Sequence, residues 1–243
     1  MKTAICTIIT ILVFVSEALS TVGPVWTTRY NGSGNSLDMS YGIAQDQAGN
    51  VYVTGYSTGA TTSKDYKTIK YSPSGALIWE ATFNGPINAG DYSYAITVDP
   101  NSNVYVTGRV DYGPTSSDIV TIKYNSLGVQ QWFARYSGPM NGVDEGKVIV
   151  TDNSGNVYVG GKSVNSTNGF DFITIKYTPG GTQAWVSFYN GPGNNEDYVA
   201  SLALDNSGNV YVAGGSIGFA SGMDFVTVKY NSSGTEQWVK RFN

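Results

Sequence analysis

Eight aspartates, four lysines and five tryptophans recur at fixed intervals, and they are the residues through which this chain could do chemistry. Asp38, Asp91, Asp144 and Asp197 form one series; Asp65, Asp118, Asp171 and Asp224 form another. Repeated carboxylates suit calcium, which takes oxygen ligands. Their other reading is structural: each carboxylate accepts hydrogen bonds from loop amides and fixes a turn. Recurrence in every copy favours the structural reading, so no cofactor is expected, with calcium as the alternative. Lys70, Lys123, Lys176 and Lys229 read as lysines covering apolar surface or pairing with an aspartate rather than as bases. Trp26, Trp79, Trp132, Trp185 and Trp238 could stack on sugars if exposed. Their fixed place points instead to packing between repeats.

Composition removes several kinds of chemistry. The 243 residues include no histidine, which excludes Ser-His-Asp and Cys-His catalysis and histidine-ligated zinc, copper or haem. The single cysteine, Cys6, excludes an intrachain disulfide and any paired-cysteine centre. The net charge of −4 argues against nucleic acid as a partner, since that needs a basic surface to replace counterions.

The first twenty residues read as an address. Met1 and Lys2 precede an uncharged apolar run, Thr3 to Val15, and small residues follow at Ala18 and Ser20. This is the pattern of a secretory signal peptide cleaved after about Ser20. The run is too short for the roughly 20 residues that cross a bilayer. The expectation is a secreted or extracellular-surface protein whose mature chain, 21–243, has no membrane span.

Behind the aspartates, lysines and tryptophans lies one period. Successive tryptophans are 53 residues apart without a slip, and the same interval links Tyr52, Tyr105, Tyr158 and Tyr211. Each copy reads as four short strands, alternating β-branched and aromatic residues between Gly, Asn, Asp and Pro clusters. In the second copy these are YAITV from Tyr94, NVYVTG from Asn103 to Gly108, DIVTIKY from Asp118 and QQWFARY from Gln130. No 3.6-residue apolar stripe occurs, so helix should be nearly absent. Four antiparallel strands at this period, with tryptophan on the last, describe an all-β β-propeller blade. The blades fall at about 41–84, 94–137, 147–190 and 200–243, after a lone outer strand at about 24–31.

The unit GNVYVTG…D-x-x-T-I-K-Y-x-x-x-G-x-x-x-W…NGP, at Gly49 to Pro86, resembles the bacterial SBBP repeat, named for a seven-bladed propeller. The resemblance covers residues 22 to 243. It implies a secreted or surface propeller within a larger protein, and it carries over no catalytic residues. A weaker likeness, in Ser233, Gly234 and Trp238, is to the tryptophan-docking repeats of quinoprotein dehydrogenases. Four blades and a spare strand fit an open arc with further blades beyond residue 243; a strained four-bladed ring is the alternative.

Antiparallel strands divide the loops between two rims. Tight turns gather on one. The other collects Tyr56–Lys64, Arg109–Ser117, Lys162–Phe170 and Gly215–Met223, with the crossovers NGSGNSLD, NGPINAGD, SGPMNGVD and NGPGNNED. Variable loops on a rigid scaffold are where function resides. The copy-specific candidates there are Arg109, Asp111, Tyr112, Glu145, Lys147, Lys162, Phe170, Glu196 and Phe219. The expectation is a non-catalytic scaffold that binds a protein or glycan on this long-loop face. A glycan-cleaving enzyme using Glu145 and Glu196 as paired carboxylates, or a structural spacer, are the alternatives.

Overall fold

The computed structural model describes residues 25–113, 116–166 and 169–243. The expected leader, with Cys6, lies outside them. Among the described residues there is no helix. Four antiparallel sheets of four strands follow one another, each in chain order. Blade 1 is β1 (Asp38–Gln45), β2 (Val51–Thr58), β3 (Lys64–Tyr71) and β4 (Leu77–Phe83); blade 2 is β5 (Tyr92–Val98), β6 (Val104–Asp111), β7 (Ser117–Tyr124) and β8 (Gln130–Tyr136). Blade 3 is β9 (Asp144–Thr151), β10 (Val157–Ser166), β11 (Gly169–Tyr177) and β12 (Gln183–Tyr189); blade 4 is β13 (Asp197–Leu204), β14 (Val210–Ile217), β15 (Met223–Tyr230) and β16 (Glu236–Phe242).

One turn aspartate organises each β1–β2-type turn. Asp46 Oδ1 accepts the amides of Ala48 and Asn50, and Oδ2 accepts the Asn50 side chain and the Tyr52 hydroxyl at 2.8 Å. The same set surrounds Asp99, Asp152 and Asp205 through Tyr105, Tyr158 and Tyr211. The recurrent lysine lies over that tyrosine ring, 4.9 Å from its centre for Lys70 on Tyr52, and its ammonium donates to a carbonyl of the next blade, Ser126. Lys123 and Lys176 repeat both contacts with Tyr105 and Tyr158, reaching Pro179 and Ser232.

The core is a series of layers between blades. Tyr52 and Tyr66 of blade 1 pack with Val104, Val106 and Ile122 of blade 2. Tyr105 and Ile119 pack with Val157, Val159 and Ile175, and Tyr158 and Phe172 with Val210, Val212 and Val228. Middle blades are therefore covered on both faces, and β6 is buried along nearly its whole length. Strand β15 of blade 4 alternates buried and exposed, leaving Phe225 77% exposed, and Ile43 of β1 is 73% exposed. Inner strands β1, β5, β9 and β13 pack on each other in turn, and blade 4 does not pack on blade 1. The arc is open.

The tryptophans of blades 1, 2 and 3 each dock on the following blade. Trp79 donates its indole N–H to Ser126 O at 3.1 Å, and its ring covers Gly128 in the β7–β8 turn. Trp132 repeats this on Pro179 and Gly181, and Trp185 on Ser232 and Gly234. Gly128 has φ +81°, and a Cβ there would sit 2.7 Å from the Trp79 ring. Only glycine serves both the turn and the close approach.

Three expectations change. Residues 25–31 form no strand, and among the described residues no sheet stands ahead of blade 1 to pair with them. Trp26 still takes the docking position, bonding Pro73 O and covering Gly75. The second strands run past their glycine, β6 to Asp111 rather than Gly108, and the inner strands begin three residues or so earlier than expected. What read as long loops, Tyr56–Lys64 and its counterparts, are partly hairpin extensions: Tyr56 pairs with Tyr66, Ser57 with Asp65 and Thr58 with Lys64. A glycine inside a strand marks a local irregularity as readily as an end.

Gly128→Ala should lower stability by about 3 kcal/mol, combining the left-handed backbone penalty with overpacking against Trp79. Urea unfolding measures it, and an unchanged midpoint would show that the indole does not rest on this turn.

Candidate functional site

The strand glycine explains what the rim presents. Where each inner strand meets its neighbour the register slips by one residue, leaving Tyr41, Tyr94, Lys147 and Ala200 unpaired. Bulges of this kind re-aim a side chain. Opposite each lies the glycine of the VYV-x-G segment. A Cβ on Gly108 would be 1.9 Å from Tyr92 O, and on Gly161 2.0 Å from Glu145 O. Gly55 and Gly214 face Met39 O and Tyr198 O in the same way.

The bulge residues make a row from blade to blade. The rings of Tyr41 and Tyr94 lie 5.3 Å apart edge to face, and the Lys147 ammonium sits 3.6 Å over the Tyr94 ring. Lys147 and Ala200 then border one cavity of about 140 Å³, with Val148, Lys162, Tyr198 and Val199. A second row uses one inter-blade relation three times with different chemistry. Tyr56 meets Tyr92 edge to face at 5.3 Å. Arg109 meets Glu145 as an ion pair at 3.1 Å. Lys162 lies 5.7 Å over the Tyr198 ring. Lys64 joins the first of these, within 5.2 Å of the Tyr92 ring centre, and Lys162 also covers Phe170 at 3.9 Å.

Glu145 is the electrostatic centre. Its buried carboxylate binds Arg109 through Oε1, and Lys147 and Lys162 through Oε2 at 2.8 and 3.3 Å. Burial alone would raise this carboxyl. The hydrogen bond and charge of Lys147, with the charges of Lys162 and Arg109, outweigh burial and hold it below its ordinary value. Tyr198 donates its hydroxyl to Glu196, and this bond, with burial, raises the phenol to about 12.

The two aspartate series stand around this layer as loop clamps. Asp91 accepts the amides of Gly85 and Asp111, Asp144 that of Gly138, and Asp197 that of Gly191. Asp38 accepts Gly32 N. Burial pushes Asp91 up to about 6 despite those amides, and raises Asp144 and Asp197 too. In the other series Asp118 pairs with Arg135, Asp224 with Arg241 at 3.0 Å, and Asp65 accepts the Thr62 hydroxyl at 2.6 Å. Asp171 is buried on β11.

Of the copy-specific residues, Arg109, Glu145, Lys147, Lys162 and Phe170 come together, and Glu196 borders them through Tyr198. The first five lie on strands, not in loops, and Glu196 lies in the crossover just before β13. Asp111 ends β6, its amide on Asp91. Tyr112 stands apart, its ring 3.7 Å from the Arg135 guanidinium. Phe219, 88% exposed, is remote in the β14–β15 loop. Sequence reasoning missed Tyr41, Tyr56, Lys64, Tyr92, Tyr94 and Tyr198. The available signal was a column that runs Tyr, Tyr, Lys, Ala through the copies (Tyr41, Tyr94, Lys147, Ala200) one or two residues from columns that barely change.

The signature of the SBBP beta-propeller repeat matches residues 25–60 and 85–109. Those two segments are SBBP repeat sequence. The matched segments span the docked Trp26 stretch with β1 and β2, then the next crossover with β5 and β6. The 53-residue period carries the same columns through blades 3 and 4. No curated protein matches the sequence. Among solved structures, an alpha-L-arabinanase of Penicillium chrysogenum complexed with arabinobiose aligns at TM-score 0.55 and 14% identity, over 84% of this chain and 66% of that one. A Dyadobacter fermentans protein of unknown function gives 0.47 and 8% over 83% and 64%, and a Synechocystis apocarotenoid oxygenase variant 0.46 and 12% over 84% and 50%. The chain thus spans half to two thirds of their lengths, and the likeness at these identities is one of fold.

Two outcomes follow. Glu145→Gln should cost about 2 kcal/mol, less than the roughly 3–5 for breaking a fully buried pair because the Lys147 side chain is 33% exposed. An unchanged urea midpoint would remove Glu145 from the centre of the cluster. The second concerns pH. Asp91, Asp144 and Asp197 hold protons more tightly folded than unfolded, so their contribution grows as pH falls from above about 6 toward 3.8. Asp46, Asp152, Asp205, Asp224 and Glu145 are lowered, so theirs fades below the ordinary carboxylate range. Urea midpoints should peak between pH 4 and 6; a monotonic rise to pH 8 would contradict this account.

Proposed function

We propose that this protein is a secreted, non-catalytic binding scaffold that takes a protein or glycan partner on the bulge-centred rim. One observation carries the reading. The bulge position on this rim changes character along the chain, aromatic in blades 1 and 2, charged in blade 3 and small in blade 4, while the packing beneath it repeats. A repeated scaffold with one asymmetric layer is how a rigid fold acquires a specific surface.

The absence of catalysis from this reading is supported by the carboxylates themselves. Glu145 is enclosed by three cations that favour its ionised form, and Glu196 accepts a phenol hydroxyl. Neither is placed to donate a proton to a leaving group, which paired-carboxylate glycan cleavage requires. The arabinanase likeness supplies a fold precedent for glycan contact and nothing finer.

The test uses a Cys6→Ser background and a bulky maleimide label. Retardation in gels containing soluble polysaccharides, or on cell-surface protein arrays, should be abolished by a label at Tyr94→Cys and kept by one at Ser74→Cys, on the exposed β3–β4 turn of the opposite rim. Equal effects from the two labels would sink the rim assignment. Release of reducing ends from any retained polysaccharide would replace the scaffold reading with the enzymatic one.

A further inference from the structure

We infer that the cavity between blades 3 and 4 is a carboxylate subsite, and that the ligand of this rim is a glycan carrying a uronic acid among neutral sugars. This rests on the reading above that the rim is a binding surface, and adds the chemical class of what it binds.

The cavity is built by what blade 4 lacks. At the bulge position Ala200 stands where blades 1, 2 and 3 carry Tyr41, Tyr94 and Lys147. The space so left, about 140 Å³, is bordered by the ammonium-bearing Lys147 and Lys162, the Tyr198 ring and the apolar Val148, Val199 and Ala200. This is well below the roughly 300–1,000 Å³ that holds a whole small ligand. It suits one end group of a longer molecule.

That end group is anionic. Lys147 and Lys162 share a single carboxylate oxygen, Glu145 Oε2, from beneath. Among the described residues neither ammonium has another carboxylate within 4.0 Å. Each ammonium carries three N–H donors, so two lysines sharing one acceptor oxygen retain donors for a second carboxylate on the cavity side. A planar carboxylate on a ring would place its charge between them and its C–H face on Tyr198.

The remainder of the ligand is largely neutral. From Lys147 the surface continues over Tyr94, then Tyr41 and Tyr92, with ring centres 5.3 and 6.3 Å apart from Tyr94. These rings make a neutral aromatic border beside the subsite, against which the C–H groups of uncharged sugars can pack. The only further cations on the strip are Arg109, committed to Glu145, and Lys64, bonded to the Tyr92 hydroxyl. A dense polyanion such as single-stranded nucleic acid would meet two available cations and a net charge of −4.

The experiment is calorimetric titration of the full chain with four oligosaccharides, from glucuronoxylan, oligogalacturonate, alginate and hyaluronan, each beside its carboxyl-reduced twin. At least one acidic member should bind ten times or more tightly than its twin. Lys147→Gln with Lys162→Gln should erase that difference, Ala200→Leu should erase it by filling the cavity, and Lys162→Arg should keep it, with circular dichroism confirming folding of each. Equal binding of acid and twin, lost in Tyr94→Ala, would overturn the carboxylate subsite and leave the binding rim standing. Silence of all eight sugars, with lysine-dependent binding of an acidic peptide or single-stranded DNA, would overturn the glycan and keep the rim. Silence of every probe would overturn the inference, and labelled-rim retardation would then decide the wider reading separately.

Discussion

An indole lying flat on a glycine of the following blade is the contact on which this stack of sheets depends. A four-stranded sheet with two apolar faces cannot bury both by itself. It must be held at one orientation between two neighbours. Trp79 on Gly128, Trp132 on Gly181 and Trp185 on Gly234 fix that orientation at the outer strands, where the lever arm is longest. The Lys–Tyr–Asp sets repeat the anchoring nearer the core. Stability then accumulates from nearest-neighbour terms, as in other repeat proteins. Trp26 shows that the dock does not need a sheet behind it, since a strandless segment still places its indole on Gly75.

Because the lower part of each blade supplies the packing, the rim can vary without cost to the fold. One geometrical relation joins Tyr56 to Tyr92, Arg109 to Glu145 and Lys162 to Tyr198. It accepts an aromatic pair, an ion pair and a cation over a ring in turn. The bulge row behaves likewise, running Tyr, Tyr, Lys, Ala across four blades. Repetition below and variation above are two consequences of the same stack.

Much of this was legible in the residues. The tryptophan interval, the tyrosine and aspartate columns and the alternation of β-branched residues led directly to blades and to the inter-blade place of the indoles. The extent of the strands was not legible. Gly108 looks like a terminator when one strand is read alone. It is a partner to a bulge in the next strand, a relation visible only when two strands are aligned. The loop candidates Arg109 and Lys162 therefore lie on strands, β6 and β10. The tyrosines were hidden by abundance: in a chain with 18 of them, Tyr94 does not stand out until its column is compared with Lys147 and Ala200. Nor could local sequence bring Arg109 to Glu145, which are 36 residues apart and in different blades.

The charge cluster is the part of the rim that stability explains least. Gathering one buried carboxylate and three cations costs desolvation that their attraction offsets only in good geometry. The equivalent contact between blades 1 and 2 is met by two tyrosines, so the fold accepts a neutral pair at this place. Neutralising Glu145 would need one cation, and Arg109 supplies it through Oε1. Lys147 and Lys162 add two more on the other oxygen, facing the cavity that blade 4 opens by carrying Ala200. Charges in excess of what the fold requires, beside space that the repeat would otherwise fill, are what the proposed carboxylate subsite would use.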